Sequence, residues 1–363
     1  MTQHNSVAGT PPATVRFFLG ANSERGFYSL YDGFVDPERD FLWVLKGGPG
    51  CGKSSFMRRV GAAAEAAGFA AEYILCSGDP DSLDGVYFPE KRVAYVDGTA
   101  PHVIEAVYPG AASLYLDLGR FLDAGSLAGK LPEIAALNRQ YKAEYARAYR
   151  QLSAGAALLP GADGFLSPAV SEALDRKLAG IVARELPKTQ KSGSVKKRFL
   201  SAQSCRGRLT LTDSALALCP RIWALDNALG LGHEFLVRLL APALSRGYDV
   251  ILCPDPLEPQ KPEALLLPEL GAAFFVGERK LFPTSAVYRH LRLDAMIRSL
   301  SREEKALLRQ RRRESAVLLH AATESLARTK EIHDELEAVY RPYVDFTGLD
   351  ALTEAHVSRL LEK

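Results

Sequence analysis

The chain has 363 residues, 47% of them apolar and 24% charged, with a formal net charge of +2. That composition belongs to a globular protein with room for two cores, and the near-neutral balance gives no bulk electrostatic reason to expect nucleic acid or a membrane as partner. No apolar run reaches membrane-spanning length, Met1 to Thr14 is polar and lacks a signal-peptide core, and five scattered cysteines without a C-x-x-C pair fit a reducing cytoplasm.

Taken in order, Arg16 to Gly26 reads as a short extended segment running into a turn, and Tyr28 to Phe34 leads to the apolar run Phe41 to Leu45. That run fits a buried strand. It is followed by Gly47-Gly48-Pro49-Gly50-Cys51-Gly52-Lys53-Ser54, which has the G-x-x-x-x-G-K-S form of a phosphate-binding P-loop. Ser55 to Ala67 is Ala-rich and reads as a helix closed by Gly68. Glycines let the backbone curl its N–H groups toward an anion, and a helix N-terminus adds partial positive charge at the same place. The expected ligand is ATP with Mg²⁺. Residues Gly47 to Ser55 form the cradle, Lys53 reaches the β- and γ-phosphates, and the Ser54 hydroxyl ligates the metal. The Cys51 thiol is given no role.

Ala71 to Cys76 reads as a second strand, running into a loop, Ser77 to Gly85, that carries Asp79, Asp81 and Asp84. Arg92 to Asp97 is a further apolar strand ending in a carboxylate, the form expected for the second Mg²⁺ position, so Asp97 is paired with Ser54 as a metal residue. Asp81 and Asp84, at the same sheet edge, are candidate catalytic bases beside Lys53 and Asp97; the other reading makes Asp-Pro and Asp-Gly plain turn formers. His102 is a weaker candidate. Gly98 stands where ATPases with an additional strand place a Glu after the Asp, so hydrolysis by that arrangement has no support here; no Asn-Lys-x-Asp tetrapeptide follows, which favours ATP over GTP. From Ala111 to Leu159 the pattern reads as helical, with Tyr141, Tyr145 and Tyr149 as a packing stripe, and Pro168 to Glu185 reads as another helix. Lys188 to Lys197 is basic and small and reads as a linker.

The second half repeats the first. Phe199 to Gly207 parallels Phe18 to Gly26, Trp223 parallels Trp43, and Gly230 to Phe235 falls on Gly50 to Ser55, with an offset near 180 residues. Asp255-Pro256 echoes Asp79-Pro80, and Leu300 to Lys363 mirrors the helical part of the first half. On that pairing Lys53 becomes His233, Ser54 becomes Glu234, the early glycines become Asn227 and Ala228, and Asp97 falls opposite Val276. A carboxylate in place of the metal-binding hydroxyl, with no lysine to offset it, repels phosphate. The second copy is therefore read as degenerate.

The opening Phe-Leu-Gly-Ala-Asn, the P-loop, Cys76 to Gly85 and Asp97 to His102 together resemble a family of tandem P-loop ATPases from Gram-positive bacteria. The resemblance covers essentially the whole chain and implies ATP binding; it supplies no substrate. Members carry a P-loop in each half, and this sequence departs from them in the second.

The expected fold is α/β, two tandem P-loop NTPase-like modules with mostly parallel sheets: an active module with helical appendage over 1–187, a linker over 188–197 and a degenerate repeat with its own appendage over 198–363. The expected function is an ATPase in the cytoplasm, acting through a protein partner. The alternatives are a small-molecule or nucleoside kinase whose Asp79–Asp84 loop faces the acceptor, and a nucleotide-binding module without turnover. Nucleic acid is not an expected partner. Arg309 to Glu314 is a basic run on a helix, read first as a solvated face, with a partner or nucleic-acid contact, or a transition-state arginine in trans, as the other readings.

Overall fold

The computed structural model describes residues 14–277, 279–297 and 300–362. The segment read as lacking a signal-peptide core lies, up to residue 13, outside the described residues.

Strand β1 (Val15–Phe18) is followed by the hairpin β2 (Gly20–Ser23) and β3 (Gly26–Ser29), then β4 (Phe41–Lys46) and helix α1 (Lys53–Ala66). The first sheet is completed by β5 (Glu72–Leu75), β6 (Leu83–Phe88), β7 (Val93–Asp97) and β8 (Ser113–Asp117), in the spatial order β1-β5-β6-β7-β4-β8. The pairings of β1 with β5, of β4 with β7 and of β4 with β8 are parallel, whereas β6 runs antiparallel to both neighbours. Helices α2 (Ala124–Leu127), α3 (Leu131–Ala157) and α4 (Pro168–Glu185) follow.

The second half runs through β9 (Val195–Lys197), the hairpin β10 (Ser201–Ser204) and β11 (Gly207–Thr210), α5 (Thr212–Leu218), β12 (Arg221–Leu225) and α6 (Leu231–Ser245). It continues with β13 (Val250–Pro254), β14 (Pro262–Leu267), β15 (Ala272–Val276), β16 (Val287–Leu291), α7 (Arg302–Tyr340) and α8 (Phe346–Glu362). Its sheet order, β9-β13-β14-β15-β12-β16, matches the first strand for strand, including the one antiparallel member. The chain is thus a two-module α/β fold with two mixed, mostly parallel six-stranded sheets.

Three sequence expectations change. Ser113 to Asp117, expected to be helical, is the edge strand beside β4, pairing with it in parallel from Leu42 to Lys46. Of the stretch read as a linker, Val195–Lys197 is the edge strand of the second sheet, and Lys191 is tied to Asp249 and Glu269. Asp84 is not in a loop but in β6.

The helices following each sheet are exchanged. The apolar face of α4 (Val170, Leu174, Leu178, Ile181) packs with Phe235 and Leu239 of α6, over the second sheet. Helix α8 reciprocates on α1, where Leu349 and Leu360 join the core of the first sheet and Arg59 pairs with Asp350 and Glu354. Between these exchanged caps α3 and α7 run antiparallel: Ser315 Oγ donates to Gly155 O at 2.8 Å, and Tyr141 meets His333 farther along. The tyrosine stripe packs, as expected, with ring centroids 4.9 and 5.6 Å apart. No helix among the described residues is long and apolar enough to cross a membrane.

Candidate functional site

The loop between β4 and α1 leaves the C-terminal end of a strand paired on both sides, where open α/β sheets place their ligands. Gly50 and Gly52 have φ of 68° and 78°, a left-handed backbone that favours glycine. Gly52 is the N-cap of α1 and has no side chain to cap it, so the first N–H groups of the helix face the loop without intrahelical partners. Inside the curl Lys53 Nζ donates to Gly47 O and Gly48 O, 3.0 Å each, and stands 3.6 Å from Asp97 Oδ2. Strand register brings Asp97 there, since it lies opposite Leu45, the penultimate residue of β4. Asp97 Oδ1 in turn accepts from the Thr99 N–H at 2.8 Å and from its hydroxyl at 2.6 Å. The Ser54 hydroxyl accepts from Leu83 N at 2.9 Å, tying α1 to the first residue of β6.

That tie brings in Asp84. It follows Leu83, and Gly85 pairs with Val96, so Asp84 sits beside the Asp97 end of β7. Its Oδ2 accepts from Tyr31 OH at 2.8 Å. Tyr31 stacks on His102 with centroids 4.5 Å apart, and His102 Nε2 lies 3.9 Å from Asp84 Oδ1. Burial pushes the Asp84 carboxyl above its ordinary value, and the neighbouring Asp97 charge adds to this while His102 and the Tyr31 hydroxyl oppose it. Neither ring nitrogen of the buried His102 has a hydrogen-bond partner among the described residues.

The structure therefore brings together Lys53, Ser54, Asp97 and Asp84, with His102 beside them. It does not bring Asp81, which is exposed and paired with Arg206 of the second half; Asp79 similarly faces Lys330 at 3.5 Å. Sequence reasoning missed Tyr31, Thr99 and the cover over the loop. A Cβ on Gly48 would lie 3.0 Å from Tyr340, one on Gly50 3.1 Å from Glu337 O, and one on Gly52 2.6 Å from Leu349. The glycines thus also serve close packing against the far end of α7 and the start of α8, a contact nearly 300 residues away that no local pattern signals.

No family model matches the chain, and neither a curated protein nor a solved structure matches it. The candidate site stands on its geometry.

The second loop is built differently. Helices α1 and α6 register with Phe56 on Phe235, Met57 on Leu236, Val60 on Leu239 and Ala64 on Ala243, and the left-handed Gly68 falls on Gly247. The loop of the second half is one residue shorter than its counterpart, so the expected pairing of Lys53 with His233 shifts: Gly232 takes the lysine's place and His233 that of Ser54. The ties agree, because His233 Nδ1 meets Pro262 O at 2.8 Å where Ser54 meets Leu83 N. Likewise Asp255, not the counterpart of Asp79, matches Cys76, since Cys76 N reaches Ser82 O as Asp255 N reaches Lys261 O. A Cβ on Gly232 would lie 2.8 Å from Asp226 O, which leaves no room for a lysine. Val276 lies opposite Leu225, the position Asp97 holds in the first half. The loop N–H groups of Ala228 and Leu229 are taken by the Asp294 carboxylate at 2.8 and 3.2 Å.

Proposed function

We propose that the chain is an ATP·Mg²⁺-binding P-loop ATPase with one competent site, in its first half, and a degenerate copy in its second. The observation that carries this reading is the convergence of Lys53, Ser54 and Asp97 at a glycine-curled loop on a helix N-terminus. The resemblance to tandem P-loop ATPases points the same way. The donor set fits Mg²⁺, because the Ser54 hydroxyl and the Asp97 carboxylate are hard oxygen ligands lying next to the lysine. Bound there, the metal would neutralise charge on the transferring phosphoryl group.

The chain's own groups do the rest. The N–H groups of the loop and of the first turn of α1 hold the phosphates. Lys53 exchanges the carbonyls of Gly47 and Gly48 for phosphate oxygens. Asp84, its carboxyl raised by burial, orients the attacking water and takes its proton, with Tyr31 fixing the carboxylate. The kinase alternative relied on the Asp79–Asp84 loop as base, and Asp79 and Asp81 are each engaged by a cation of the second half.

The test is calorimetric titration of ATP with Mg²⁺ into wild type, Lys53→Ala and His233→Ala, then phosphate release from the same samples. The reading expects one site, lost in Lys53→Ala and kept in His233→Ala, and release without an added acceptor. Two sites, or binding that survives Lys53→Ala, overturns it.

A further inference from the structure

The first third of α7 is almost wholly exposed. Ser315 is where α7 meets the C-terminal end of α3, so residues 302–314 project beyond that end for about 20 Å. Of the residues from 301 to 314 all but Leu308 are exposed. Arg312 makes a tether back to the body, to Ala228 O at 2.5 Å.

The arm is strongly basic. Arg302, Lys305, Arg309, Arg311, Arg312 and Arg313 stand against Glu303, Glu304 and Glu314. Glu303 and Glu304 sit in the first turn, where Glu304 is spent on the capping box with Ser301, and Glu314 accepts from Gln310 Nε2 at 2.9 Å. Among the described residues Arg302, Lys305, Arg309, Arg311 and Arg313 have no ion-pair partner, although most of the chain's salt bridges join just such surface residues. Lys305, Arg309 and Arg313 are spaced four apart, which sets like charges over one another on one helix face. Such pairs each destabilise a helix by a few tenths of a kcal/mol. Arg289 of β16 and Arg292, just past its end, are exposed as well.

We infer that this arm is a docking surface for a nucleic-acid backbone. The whole chain's small net charge conceals this clustering, because outside the arm basic and acidic residues nearly balance. A membrane-surface helix needs an apolar stripe at helical spacing, and here Ala306, Leu307 and Leu308 are merely consecutive. A protein interface needs an apolar centre depleted of charge, which the arm also lacks. Phosphates need only unpaired cations on a rigid, exposed support. The same helix reaches the first loop at Glu337 and Tyr340, so a polyanion held on the arm is mechanically connected to the nucleotide end.

The experiment measures fluorescence anisotropy of labelled duplex DNA and of single-stranded RNA against the full chain, from 50 to 200 mM salt. Three proteins are compared: wild type, Lys305→Glu/Arg309→Glu/Arg313→Glu, and a control of equal charge change on exposed α3 residues, Arg139→Glu/Lys142→Glu/Arg147→Glu. With about five phosphate contacts, wild-type affinity falls several hundred-fold over that salt range. The arm variant, its helix content unchanged by circular dichroism, binds at least 100-fold more weakly, and its salt slope is shallower by about three. The control keeps most of the binding. Absence of salt-dependent binding by wild type, equal loss in both triple variants, or equal affinity for polyglutamate or anionic vesicles overturns the inference. Lys53→Ala retains nucleic-acid binding, which separates this result from any failure of the ATPase reading.

Discussion

Phe18 and Phe199 exchange two backbone hydrogen bonds, each 2.9 Å, N–H to carbonyl in both directions. They are the same position in the two halves, so the pair marks a local two-fold axis. Other equivalent ties repeat across it: Glu24 N reaches Leu257 O, and Cys205 N reaches Gly78 O. One apolar core runs through the contact, with Phe17 and Val44 on one side and Phe199 and Ile222 on the other. Together with the exchanged helices, this makes each half depend on the other for its cover.

A chain cut between Gln190 and Lys191 tests that dependence. Each fragment alone would expose the face of α1 or α6 that the other fragment covers, and an apolar face of that size is not tolerated in water. We expect neither fragment alone to give a near-ultraviolet circular dichroism signal of fixed packing, and the co-expressed pair to purify as one species with the intact chain's signal. Two fragments that fold separately would show that the exchange is dispensable.

The junction also holds a buried charge cluster. Glu72 of β5 accepts from Lys196 Nζ at 2.7 Å and from Arg198 Nε; Arg198, fully buried, also donates to Gly33 O and Phe34 O. Burial pushes the Glu72 carboxyl up, but the two cations outweigh it and hold it below its ordinary value. Glu72→Gln strands a buried guanidinium and is expected to lower unfolding stability by about 3–5 kcal/mol in urea denaturation. A loss below 1 kcal/mol would mean that the cluster is replaceable by neutral hydrogen bonds.

Much of this was readable from residue order, and the failures have physical causes. The Gly47–Ser54 loop, its strand and its helix follow from local pattern, and so does the repeat. The pairing of Lys53 with His233 failed because glycines matched Gly230 to Gly50 and Gly232 to Gly52, while burial phase in α6 sets Phe235 on Phe56. Identity in a loop is a poorer guide than the face a helix must bury. Leu174 and Leu178 announce that α4 has a covered face, but periodicity is silent about which sheet covers it. Asp84 falls in the stretch read as a loop because Asp-Gly favours turns, yet Tyr31 OH and the β6 ladder keep it in a strand.

Acid should loosen α8 first. His356 packs against Trp43 and Phe56, with centroids 4.7 and 5.5 Å away, and meets Tyr95 OH at 3.2 Å. Burial lowers its pKa from 6.5 to about 4, helped by Arg359 and Arg120. The imidazole is neutral in both states above pH 6.5, so it contributes nothing there. Below 6.5 the unfolded chain protonates first, and stability falls by up to about 3 kcal/mol as the pH drops to 4. In a Trp223→Phe background, Trp43 fluorescence reports the site. His356→Phe is expected to flatten stability between pH 6.5 and 4, and an unchanged profile would place the acid sensitivity elsewhere.

Lys53 has a second measurable role in the free protein. Its bonds to Gly47 O and Gly48 O brace the loop through a charged donor. Lys53→Ala should therefore lower stability without nucleotide by about 2 kcal/mol. If the proposed ATP site is correct, ATP with Mg²⁺ should raise the Tm of the wild type and not that of Lys53→Ala. Lys53→Ala that is as stable as wild type without nucleotide would show that the brace contributes nothing.

Gly52 joins the loop to its cover. Its φ of 78° alone makes Gly52→Ala unfavourable by about 1–2 kcal/mol. A Cβ there would also come within 2.6 Å of Leu349 Cδ2, the end of a buried side chain that must move. Leu349→Ala removes that obstacle but empties part of the α1–α8 contact and is expected to cost about 2–5 kcal/mol by itself. The two losses should not add. In Gly52→Ala/Leu349→Ala the steric part of the first vanishes, leaving the double variant about 1 kcal/mol or more above the sum of the singles in a urea double-mutant cycle. Simple additivity would mean that the backbone conformation, and not contact with α8, explains the glycine at 52.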